Sequence, residues 1–178
     1  MSEKKDMYEK AKAEMRLYER ILAALPGFRG YKEKELRRES DRLIRNHLYQ
    51  RLSEARKDLK EVFQKLSDHR LQEVLTDMDR FIMRFDRVAE KINHASYGYA
   101  GFFNVVKIDE PKLDKMIEFD NGLMDDVAKI VDETSTFKKE VMGHDYDKVA
   151  AHIENLNAMV EELEESFDGR EGIIMGVT

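Results

Sequence analysis

Histidines and carboxylates are the side chains of this sequence with the most chemistry to offer. Helical bundles hold paired metal ions through inward-facing Glu-x-x-His motifs. Three positions before His47, His69, His94, His144 and His152 stand Ile44, Leu66, Lys91, Val141 and Val149, so that motif does not occur. A looser set remains: Asp86, Glu90, Asn93 and His94, followed later by Glu118 and Asp120. Asp86 and Glu90 lie one helical turn apart, so both can face one ligand. Asp120 falls in line with an apolar seam, where a carboxylate is costly unless paired. A metal held by Asp86, Glu90, His94, Glu118 and Asp120 is one reading; an ordinary solvated helix surface is the other.

Two further groups point to contact rather than catalysis. Tyr97, Tyr99, Phe102 and Phe103 fall within seven residues together with Gly98 and Gly101. Glycines let backbones approach closely and aromatics anchor interfaces, so this segment is a candidate interaction patch. Tight packing of Phe102 and Phe103 in a core explains it equally. Arg38, Arg42 and Arg45 share one helix face by their spacing of four and three, making a basic face suited to phosphates or an acidic helix. Glu35, Glu39 and Asp41 stand among them and the chain is acidic overall, which argues against nucleic acid as the partner. No phosphate-binding glycine loop, nucleophile elbow or His-Glu-x-x-His occurs, so neither a cofactor nor a catalytic residue is expected.

The elements that must position these residues are helices. Charged residues make up 38 % of the chain, against a usual value of about 25 %. They are interleaved at short spacing, as on long exposed helix faces. Two prolines and nine glycines in 178 residues leave few places for turns. The apolar residues recur every three or four positions, the period of one helix face. Met7, Ala11, Met15, Tyr18, Leu22 and Leu25 mark a helix over about 2–25, stopped by Pro26-Gly27. Leu36, Leu43, Leu48, Leu52, Ala55, Leu59, Val62 and Leu66 predict a second over about 32–66.

Ser67-Asp68 offers an N-cap for a third helix, whose seam is Phe81, Phe85, Val88, Ile92 and Ala95. That seam continues through Tyr99, Phe102 and Val106, although residues 104–108 also suit an extended conformation. Asp109-Glu110-Pro111 starts a fourth helix, which Asn121-Gly122 interrupts and Gly143 ends as a left-handed cap. Asp145 caps a fifth, with Tyr146, Val149, Ile153, Leu156, Val160, Leu163 and Phe167 inward and Asp168-Gly169 at its end.

The expected fold is all-α: an antiparallel bundle of four to five helices, some long and coiled-coil-like. Residues 1–169 are expected to form one helical-bundle domain and 170–178 a flexible C-terminal tail. No repeat of fixed period is visible in the sequence. The absence of cysteine excludes disulfides, thiolate catalysis and Cys-bound zinc. No stretch approaches the ~18 apolar residues of a membrane span, and no apolar segment follows the polar N-terminus, so a cytoplasmic location is expected.

Charge is unevenly distributed. Residues 1–70 hold 19 basic and 13 acidic side chains, residues 71–108 hold five of each, and residues 109–178 hold seven basic and 19 acidic. A basic N-terminal hairpin followed by an acidic C-terminal region is similar, in outline, to membrane-remodelling filament proteins of the ESCRT-III and phage-shock type. The likeness lies in charge order alone, and no motif is shared. It implies a protein acting at membrane surfaces. Pairing of the basic and acidic halves, within or between chains, implies instead a non-enzymatic protein that binds a protein partner or itself. A carboxylate metal-binding bundle is the third alternative.

Overall fold

In the computed structural model the backbone is described for residues 36–95 and 110–175, and side chains for 43–95 and 118–169. The predicted helix over 2–25, the Pro26-Gly27 stop and the aromatic patch of Tyr97, Tyr99, Phe102 and Phe103 lie outside the described residues.

The described residues form an all-helical bundle with no strand. Its helices are α1 (Leu36–Asp68), α2 (Gln72–His94), α3 (Glu110–Met142) and α4 (Val149–Met175). Residues 45–95 and 123–169 make one compact unit. The described residues 36–44, 110–122 and 170–175 belong to a second, in which Asp120 and Asn121 are buried.

The core of the first unit follows from the three-and-four spacing. Leu48, Leu52, Ala55, Leu59, Val62 and Leu66 of α1 are buried, as are Met78, Phe81, Phe85, Val88 and Ile92 of α2. From α3 come Leu123, Val127, Ile130, Thr134, Phe137 and Val141, and from α4 Ile153, Leu156, Val160, Leu163 and Phe167. Such a stripe stays on one side of a helix and leaves the charged residues outside. Leu43, predicted as buried, is only half-buried, and Met124 and Val131 likewise lie at the margin of the core.

Polar contacts tie the helices in pairs. Arg45 to Asn93, Tyr49 to Glu90 and Arg56 to Asp86 join α1 to α2 across 48, 41 and 30 residues. Arg84 to Glu161, Arg87 to Glu164 and Lys91 to Asp168 join α2 to α4, each across 77 residues. Lys138 of α3 reaches Asp58 and Glu61 of α1, both at 2.7 Å.

Helix α3 starts at Glu110 and ends before Gly143 as expected, but the caps differ from expectation. Asp68 does not cap α2; it is the last residue of α1, and Leu71 precedes α2 without a side-chain cap. The end of α1 is closed by the backbone. Arg70 N–H donates to Ser67 C=O at 2.9 Å and Leu71 N–H to Leu66 C=O at 3.2 Å, with Arg70 left-handed at φ 56°. This bonding satisfies carbonyls that a helix end leaves open.

The same arrangement ends α3. His144 N–H donates to Val141 C=O at 3.1 Å and Asp145 N–H to Glu140 C=O at 3.0 Å. The left-handed residue is therefore His144, at φ 65°, and not Gly143, whose N–H still bonds Lys139 C=O at 3.0 Å as in a helix. Asp145 does not cap α4 either. Its carboxylate accepts the Asp147 N–H at 3.4 Å in a local turn, and α4 begins at Val149. Helix α3 is continuous through Asn121-Gly122, and α4 runs past Asp168-Gly169 to Met175.

Candidate functional site

Among the described residues, a polar cluster at the edge of the core lies where the start of α4 meets the end of α3. Glu133, Phe137 and Glu140 fall on one face of α3 because steps of four and three return to the same side of a helix. His152 lies in the first turn of α4, one residue before the buried Ile153, and is itself buried. Its ring stacks on Phe137, with centroids 4.9 Å apart and planes at 19°. Nδ1 then lies 2.7 Å from Glu133 Oε1 and Nε2 3.0 Å from Glu140 Oε2.

Two carboxylates can both accept from one imidazole only when each ring nitrogen carries a proton. Burial works against the charged ring, but the Glu140 and Glu133 carboxylates outweigh it and hold the His152 pKa above 6.5. The Glu140 carboxyl is held below 4.5, chiefly by its hydrogen bond to His152 and against the effect of burial. Lys148 adds a second cation, 3.5 Å from Glu140 Oε1. The imidazolium therefore bridges two helical turns of α3. With both nitrogens engaged, it offers no lone pair to a metal and no free base to a substrate.

Three more aromatic rings meet at the turns between helices. His69 approaches His144 edge-on, with ring centroids 5.3 Å apart and planes at 89°. Tyr146 lies 5.2 Å from His69 and 6.2 Å from His144. The turn after α1 and the turn after α3 are thus side by side.

The residues singled out in the sequence have other partners. Asp86 pairs with Arg56 of α1. Glu90 accepts from Tyr49 Oη at 3.1 Å and from Asn93 Nδ2 at 3.4 Å, and lies 3.2 Å from His94 Nε2. The Tyr49 hydroxyl is the main cause of its lowered pKa. Glu118 is exposed and Asp120 buried, both in the other unit. Among the described residues no group of three or more His, Cys, Asp or Glu is arranged to hold a metal ion. Arg45 donates to the Asn93 carbonyl at 3.4 Å; Arg38 and Arg42 lie on α1, with side chains outside the described residues.

The Glu133–His152–Glu140 set is the arrangement that the sequence does not announce, because its members come from two helices across a turn. Two signals point to it: a glutamate on either side of the seam residue Phe137, and a histidine beside the seam residue Ile153. Compared with protein-family models, with curated proteins and with solved structures, the chain matches none.

Proposed function

We propose that this chain is a non-enzymatic helical-bundle protein that acts through protein–protein contact and associates with copies of itself by charge. The observation that carries the reading is the outer side of α4. Glu154, Glu162 and Glu165 are exposed there; among the described residues none is in an ion pair, and Glu162 lies within electrostatic reach of Lys129. The complementary charge is in the same chain, in the basic excess of residues 1–70. Large apolar side chains give little for a partner to hold, since among the described residues only Met83 and Met142 are exposed. Contact with a second copy is therefore electrostatic, the kind of complementarity that sets orientation and association rate.

The bundle that presents this face is read as four helices alternating in direction. Contacts between α1 and α2 shorten in sequence separation toward their shared turn, as when a chain doubles back. Those between α2 and α4 keep a constant separation of 77, as when two helices run the same way.

Light scattering at two ionic strengths tests the proposal. Charge interactions reach about 10 Å at 0.1 M salt and about 3 Å at 1 M. The expected mass at low salt is a multiple of 21.0 kDa that falls to a single chain at high salt. Replacing Glu154, Glu162 and Glu165 by lysine is expected to abolish the multiple. A single chain at every salt concentration, or an assembly indifferent to the triple substitution, would overturn the proposal.

A further inference from the structure

We infer that His69 and His144 form a two-histidine binding site for a divalent transition metal such as Zn²⁺ or Cu²⁺, clamping together the turns that follow α1 and α3. The two imidazoles come from turns 75 residues apart and are both exposed. Their ring centroids are 5.3 Å apart. Two imidazoles on one tetrahedral zinc, each with a Zn–N bond of about 2.0–2.1 Å, have ring centres about 5 Å apart. The observed spacing is that of two ligands of a shared ion, reached when the exposed rings, now edge to face, turn their nitrogens to one point.

The backbone fixes the points from which both side chains depart. His144 is itself the left-handed residue that closes α3, and His69 directly precedes Arg70, its counterpart after α1. Tyr146 packs against both rings. Ligands already ordered before binding lose less freedom when the ion arrives. The nearby carboxylates are occupied: Asp68 accepts from Gln64 at 2.8 Å and Asp145 from the Asp147 N–H. Lys148 is turned to Glu140. The protein thus supplies two nitrogen donors, and water fills the remaining positions. Imidazole nitrogen selects zinc, copper and nickel over magnesium and calcium. This site shares no residue with the glutamate-bound His152.

An ion that binds only the folded chain raises its melting temperature. The test uses untagged, chelator-treated protein titrated with Zn²⁺ and, separately, Mg²⁺, with light scattering recorded alongside to separate clamping from association. The expected result is a rise of a few degrees with Zn²⁺ and none with Mg²⁺, at constant mass. His69→Gln with His144→Gln, both exposed and harmless to the core, is expected to remove the rise, and His94→Gln to leave it intact. Electron paramagnetic resonance of the Cu²⁺ form is expected to show coupling to two nitrogens. No rise in the parent protein, or an equal rise in the double variant, would overturn the inference.

Discussion

At the scale of single residues, His152 makes stability depend on pH. Its folded pKa lies above the unfolded value of 6.5. The stability it contributes is therefore complete below 6.5 and lost as pH rises through the raised folded value. Glu140 behaves oppositely: its pKa is held below 4.5, so its contribution is complete above 4.5 and lost as pH falls through the lowered value. Both contributions are whole between 4.5 and 6.5. His152→Gln keeps a side-chain donor but no charge. It is expected to cost about 1.5–3 kcal/mol in that window, the range for a hydrogen bond to a charged group, and progressively less above it. Urea unfolding of both proteins across the pH range measures the difference. A deficit that stays constant from acid to alkali would show that the imidazolium is not what joins the helices.

At the scale of helices, the seams were legible, as were the start of α3 at Glu110 and its end before Gly143, but the caps were not. Leu48, Leu52, Ala55, Leu59, Val62 and Leu66 are buried as their spacing predicts, and so are Phe81, Phe85, Val88 and Ile92. Apolar periodicity is a sum over many residues, so one misplaced position such as Leu43 does not disturb it. Helix ends rest on one or two residues, and there local preference gave way to the backbone. Gly143 stays helical and His144 takes the left-handed turn, while Arg70 takes the same conformation with no glycine nearby. The His152 site was hidden for a related reason: spacing within one helix says nothing of what a second helix brings against it.

The left-handed conformation costs an L-residue roughly 1–2 kcal/mol, and glycine avoids most of this while losing more freedom on folding. Arg70→Gly is accordingly expected to stabilise the chain by up to about 1 kcal/mol, read as a higher urea midpoint at unchanged slope. A lowered midpoint would mean that the Arg70 side chain contributes more than its backbone conformation costs.

At the scale of the whole bundle unit, the two helix pairs share one buried pattern. Each of Leu48, Leu52, Ala55, Leu59, Val62 and Leu66 has its counterpart 75 positions later, at Leu123, Val127, Ile130, Thr134, Phe137 and Val141. Met78, Phe81, Phe85, Val88 and Ile92 correspond in the same way to Ile153, Leu156, Val160, Leu163 and Phe167. This correspondence is invisible as sequence similarity because it concerns only which positions are buried, and the residues filling them differ. The polar links between partners differ too. Arg56 and Asp86 join α1 to α2, whereas His152 with Glu133 and Glu140 joins α3 to α4. Hydrogen exchange in alkaline solution, corrected for intrinsic rates, is therefore expected to show amides around 149–156 losing protection before those of 48–66. Simultaneous loss in both would count against separate responses.

The contrast between these links has a consequence for how the molecule comes apart. A guanidinium keeps its proton at any pH a cell reaches, whereas an imidazole gives its proton up near neutrality. Mild alkali is thus expected to weaken the His152 link between α3 and α4 and to leave the Arg56–Asp86 link between α1 and α2 intact. Loss of order is then expected to begin at α3 and α4, with the earlier pair left as the scaffold on which they can re-form.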